Sequence, residues 1–206
     1  EGINGPCVSA TRTPVTVTVN ATPSSNAGAS IVGNVTCGKN VVNIGGNALA
    51  AGQTGQWSMI QATNNAGGFQ GLFANGGVQA NDQFTGTYGG TFVLRWSVTN
   101  TSTGCVGQDT MVVTFLQPND ASIAGLIGQG DVLWCGLTGT DWSTSTNWYQ
   151  KMANVNYPNG YYQRMSGAVQ PAISTQVFSV SQANGGVCIG TNNINLSAGS
   201  NAEDVY

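Results

Sequence analysis

The chain contains no histidine, and only 6% of its residues are charged: 5 Lys+Arg and 8 Asp+Glu among 206. An ordinary globular protein carries about a quarter charged residues, and enzymes working near neutral pH draw on His, Lys, Asp and Glu with tuned pKa values. Without His a Ser–His relay is excluded, and a Ser–Lys pair would have to recruit Lys39 or Lys151 from ordinary glycine-rich contexts. Adjacent carboxylates occur only at Glu203 and Asp204. No enzymatic activity is expected. Long apolar runs are missing too: the most apolar stretch, Ile123 to Ile127, ends at Gly128, far short of the roughly 20 residues that span a bilayer. No membrane insertion is expected. Nor is there a basic cluster, since Arg12, Lys39, Arg95, Lys151 and Arg164 are scattered and the net charge is −3. Nucleic acid, whose binding depends on grouped Lys and Arg, is therefore not an expected partner.

What is present is enough to fold. The chain is 40% hydrophobic with a mean hydropathy of −0.03, above the apolar content of disordered segments. Its polar surface must be built from Asn, Thr, Ser, Gln and Gly, which hydrogen-bond water and sugars without long-range fields. The five cysteines, Cys7, Cys37, Cys105, Cys135 and Cys188, are too widely spaced for a zinc motif. Disulfides are the expected use, which implies an oxidising, extracytoplasmic location. Asp131, Asp141 and Asn147 carry oxygens of the kind calcium takes, but the dense Asp spacing of a dedicated loop is missing. No cofactor is expected, calcium being the one metal with any ligand chemistry here.

Thr13 to Asn20 alternates, with Val15, Val17 and Val19 on one face and Thr16 and Thr18 on the other, the period of a half-buried strand. Residues 1–20 therefore read as the last strand of a sandwich whose earlier strands lie upstream, with Cys7 pairing outside the chain. Residues 21–118 read as one β-sandwich. Its apolar runs, Val41 to Ile44, Trp57 to Ile60, Phe92 to Val98 and Met111 to Phe115, are short and separated by Gly and Asn. Phe92, Leu94, Trp96 and Val98 share a face, and Gly67-Gly68, Gly76-Gly77 and Gly89-Gly90 supply turn positions. Cys37 early and Cys105 late in this unit are expected to bridge, with Trp57 and Trp96 packed against the bridge. Residues 119–206 read as a further, incomplete β-rich module. A helical turn or linker is expected near Ile123 to Ile127, with strands near Val132 to Cys135, Gln176 to Val180 and Asn193 to Ser197, and a Cys135–Cys188 bridge. The fold class is all-β, tandem disulfide-tied sandwiches.

Three segments in this order resemble a known family. Gln56-Trp57-Ser58-Met59-Ile60, then Gly89-Gly90-Thr91-Phe92-Val93-Leu94-Arg95-Trp96-Ser97-Val98-Thr99-Asn100, Cys105 and Asp109-Thr110-Met111-Val112-Val113, resemble the PKD-like repeats of very long Bacteroidetes surface proteins. Asn4-Gly5-Pro6-Cys7 through Val19 is similar to the end of their Ig-like repeats, and Asp141-Trp142 to Asn147-Trp148 to a D-W-x-x-x-x-N-W segment that follows them. The resemblance implies a giant adhesin of the gliding-motility type, exported through the type IX secretion translocon and held at the outer surface of the cell. Its partners would be polysaccharide or abiotic surfaces and neighbouring modules of the same chain. It also implies a short O-glycosylation pattern, placing a candidate site at Thr110.

The aromatic residues around Pro158-Asn159-Gly160 supply a candidate recognition surface: Trp142, Trp148, Tyr149, Tyr157, Tyr161 and Tyr162. Such side chains offer flat apolar faces with a polar handle, although Trp142 and Trp148 would equally serve as anchors of the local turn. Three functions follow from these features. The first is an adhesin or filament segment mediating attachment, with a possible link to gliding. The others are a carbohydrate-binding accessory module of a secreted hydrolase, and a filament subunit whose Val15 to Val19 strand pairs with the next copy.

Overall fold

The computed structural model describes residues 3–4, 7–8, 14–64, 66–118, 129–135, 143–166, 177–179 and 188. Among them the chain is all-β, with isolated three-residue 3-10 turns. A short hairpin of β1 (Ile3–Asn4) and β2 (Cys7–Val8) comes first. The expected strand after it is not formed. Residues 14–20 pair with no strand among the described residues, and Val15, Val17 and Val19 are 85, 78 and 88% exposed. Alternation makes a strand only where a neighbouring edge accepts its hydrogen bonds, and these residues meet none.

The expected apolar runs of the second unit become the strands of a sandwich. One sheet has the order β3 (Val41–Gly45), β6 (Asn81–Thr85), β5 (Leu72–Phe73); the other has β4 (Gln53–Thr63), β7 (Thr91–Asn100), β8 (Val106–Thr114). All the strand pairs within both sheets are antiparallel. Ile31 adds a parallel bridge to Val113 on the outer edge of β8. The alternation of β7 is realised in full: Phe92, Leu94, Trp96 and Val98 are completely buried between the sheets.

The two tryptophans of the core meet at 5.2 Å between ring centroids. Each satisfies its indole N–H inside the protein, Trp57 donating to the Ala80 carbonyl and Trp96 to Asn47 Oδ1, both at 3.1 Å. The Trp96 ring lies so close to Gly46 that a Cβ there would come within 2.8 Å of it. Phe84, Phe92 and Phe115 fill the other end of the core with centroids 5.2 to 6.4 Å apart. Asp82, only 5% exposed, accepts hydrogen bonds from Asn75 N, Asn75 Nδ2, Gly77 N and Gln83 N. This carboxylate shapes the loop before β6 and is fully engaged in doing so.

The segment leading into the sandwich is pinned along β7 and β8. Ser25 Oγ donates to the Trp96 carbonyl at 2.9 Å, and the Ala27 N–H donates to Asp109 Oδ2 at 2.8 Å. That bond and one from the Thr110 N–H hold the Asp109 carboxyl below its ordinary pKa. A depressed folded-state pKa contributes stability that is present above the unfolded value and lost as pH falls below about 4. Asp109→Asn is therefore expected to lower the urea midpoint at neutral and alkaline pH and to converge with the parent in acid, so that the acid limb of the stability-against-pH profile is flattened.

Beyond the sandwich stands a separate four-stranded sheet in the order β11 (Tyr157–Arg164), β10 (Trp148–Asn154), β9 (Val132–Trp134), β12 (Val177–Ser179). β9 and β12 fall where strands are expected, and they run parallel. The expected turn at Ile123 to Ile127 and strand at Asn193 to Ser197 lie outside the described residues. All three residues of β9 are buried because apolar clusters form on both of its faces. Val132, Trp134 and Trp148 make one cluster, with the two indoles 4.9 Å apart. Leu133, Tyr149, Cys37, Cys135 and Cys188 make the other, with Leu116 against it. The second cluster draws residues from the sandwich and from the new sheet alike.

The expected sulfur pairing is corrected here. Cys37 bonds to Cys188 across a sequence separation of 151, so neither the Cys37–Cys105 nor the Cys135–Cys188 bridge exists. Cys105 lies in the hairpin between β7 and β8, whereas Cys37 sits in the cluster beneath Tyr149. Cys135 is buried in that same cluster as a thiol and donates to the Thr146 carbonyl at 3.5 Å. Trp57 and Trp96 are core residues, as expected, but no bridge lies against them.

Candidate functional site

The sandwich meets the four-stranded sheet through close backbone contacts. The Gly38 N–H donates to the Leu116 carbonyl, and the Arg164 N–H donates to the Gly38 carbonyl, each at 3.0 Å. Gly38 has φ +64, and a Cβ there would collide with the Tyr149 ring and approach Arg164 N to 2.9 Å. Only glycine meets both demands. Gln117 adds a two-way clasp: its Oε1 accepts the Tyr162 N–H and its Nε2 donates to the Tyr162 carbonyl.

This junction brings three tyrosines together. The turn between β10 and β11 is set by Asn154 Oδ1, which accepts the N–H groups of Asn156 and Tyr157 at 2.9 and 3.2 Å. Tyr157 and Tyr161 follow, their ring centroids 4.9 Å apart. Tyr88 arrives from the loop between β6 and β7 and stacks on Tyr161 at 4.4 Å with 25° between the planes. Its N–H also donates to the Tyr157 hydroxyl at 2.9 Å. The rings border a cleft of about 410 Å³, lined further by Asn40, Phe69, Thr85, Thr87, Asn154 and Asn156. That volume falls within the range of small-molecule sites.

Burial, reinforced by Tyr161 and Tyr157, pushes the Tyr88 pKa up to about 12. Burial also raises that of Tyr157, partly offset by the Tyr88 N–H and the Thr87 hydroxyl. Both phenols are consequently protonated at neutral pH and can donate as well as accept. The Thr87 residue is 5% exposed, and its hydroxyl makes no hydrogen bond of good geometry to the described residues. The cleft thus offers flat rings, amides and hydroxyls, the inventory that suits a polyhydroxylated ligand.

The expected aromatic set divides. Tyr157 and Tyr161 are half-buried and border the cleft. Tyr162 packs against the cluster beneath Tyr149. Trp148 and Tyr149 are completely buried, a correction to their expected surface role: each packs against β9, whose two faces are both covered. Trp142 and Asp141 lie outside the described residues. Tyr88 lies outside the expected set, because its partners are nearly 70 positions away and no local pattern marks it. Its place between turn glycines and the paired asparagines of the β10–β11 turn were the available signals.

Thr110 is exposed in the middle of β8, directly across from Arg95. Among the described residues no group of three or more His, Cys, Asp or Glu side chains is placed to hold a metal. Asn147, one of the residues whose oxygens are of the kind calcium takes, is completely buried, and its backbone groups bond Thr144 and Cys135. No helix among the described residues is long and apolar enough to cross a membrane.

No family model matches this chain, and no curated protein does. Among solved structures it is similar to the solution structure of the PKD domain (329–428) from human KIAA0319. The two are 16% identical with a TM-score of 0.35, the match covering 47% of this chain and 82% of that one.

Proposed function

We propose that this chain is a non-catalytic segment of an exported surface protein that attaches its cell to polysaccharide through the cleft at the junction. The observation that carries this reading is the Tyr88–Tyr161 stack at 4.4 Å, set in a cleft lined by Asn40, Asn154 and Asn156. The C–H face of a sugar ring is apolar and weakly positive, which complements the negative face of an aromatic ring. Neighbouring amides and phenol hydroxyls then engage the ring's own hydroxyls. The Cys37–Cys188 bridge fits an extracellular location, since disulfides persist in oxidising compartments. The order of the Ig-like, PKD-like and D-W-x-x-x-x-N-W segments supports export by type IX secretion and a place among gliding-type adhesins.

Tyr161→Ala removes the ring that both other tyrosines touch. On a glycan array it is expected to weaken binding of the best ligand by at least about tenfold, roughly 1.4 kcal/mol, with the unfolding midpoint of the sandwich preserved. An unchanged array profile would reject the cleft as the attachment site.

A further inference from the structure

Resting on the glycan reading above, we infer that the ligand is anionic, a polysaccharide carrying carboxylate or sulfate groups. A second groove of about 350 Å³ adjoins the tyrosine cleft and is lined by Lys39, Gln163 and Arg164 among others; Asn40 and Tyr88 line both. The two thus share a wall at Asn40 and Tyr88, with the stacked rings lining one and the two cationic residues lining the other. Lys39 comes from the sandwich side of the junction and Arg164 from the end of β11, so the chain's fold brings together two of only 5 basic residues. No Asp or Glu side chain lines either groove among the described residues. Arg164 Nε is buried and makes no hydrogen bond to the described residues. A guanidinium has a fork of donors that matches a planar carboxylate.

The overall charge of −3 does not oppose this, because charges beyond the Debye length of about 8–10 Å are screened at ordinary ionic strength. What an anionic sugar meets is the local pair. Successive residues of an acidic polysaccharide carry a ring and a charge in repeating register, so one sugar on the tyrosines places a neighbouring charged sugar beside Lys39 and Arg164. A neutral glycan gains nothing from the groove that holds the two cations.

The test is calorimetric titration with a galacturonic acid tetrasaccharide, its fully methyl-esterified form and a sulfated galactan tetrasaccharide. The wild-type chain is expected to bind the acid at least tenfold more tightly than the ester, and added salt should weaken only the charged probes. Lys39→Gln, at an exposed position where folding is unaffected, and Arg164→Gln should both reduce the preference while retaining binding of the ester. Tyr161→Ala should weaken all three probes. Tighter binding of the sulfated probe than of the uronate would support the inference with sulfate as the natural group. Equal binding of acid and ester overturns it and leaves the glycan reading standing, whereas failure of all three probes, together with a blank glycan array, overturns both.

Discussion

Replacing Cys37 and Cys188 together by serine is expected to lower stability by up to about 5 kcal/mol, the loop-closure value for a bridge spanning 151 residues. Domains of this kind have only about 5–15 kcal/mol in total, so the double variant should unfold at a much lower guanidinium concentration and expose the cluster around Tyr149. Cys105→Ser, at a position outside the bridge, should leave the midpoint where it is. The contrast discriminates between pairings: if Cys105→Ser costs as much as losing Cys37, the bridge runs within the sandwich instead. Peptide mapping without reduction gives the same answer covalently, through recovery of a Cys37–Cys188 peptide pair.

Trp96→Ala is expected to cost about 3–5 kcal/mol, the range for emptying a large aromatic from a packed interior. Trp96 is completely buried, touches Trp57, and packs against the backbone at Gly46 and Gly55, two positions that have no side chain to fill the space. Asn47 Oδ1 would lose one donor but keep the Asn26 N–H, so the penalty is chiefly a cavity. Trp96→Phe should recover part of the loss. An alanine variant unfolding within about 1 kcal/mol of the parent would mean that this side chain is not at the centre of the sandwich.

The sandwich strands were legible because their information is local. Phe92, Leu94, Trp96 and Val98 alternate, and the glycine pairs mark where chains reverse; Gly76, Gly77 and Gly89 do adopt positive φ. The sulfur pairing was not legible, since spacing along the chain carries no record that Cys37 lies under Tyr149. The burial of Trp148 and Tyr149 had a visible cue in the uninterrupted Val132-Leu133-Trp134 run, which marks a strand covered on both faces. Tyr157 and Tyr161 stood out by their crowding, yet their role depends on Tyr88 and Asn40, contributed by distant loops. Val15, Val17 and Val19 show the opposite failure: perfect alternation, but no edge to receive it among the described residues.

The sulfur bond joining positions 37 and 188 also decides how tension would travel. A pull applied outside these two positions passes through the bond and bypasses everything enclosed between them. At about 3.4 Å per extended residue, some 500 Å of chain is withheld from stretching for as long as the bond stays oxidised. The cleft lies within that enclosed stretch, so a pull on the flanking chain leaves the arrangement of its tyrosines intact.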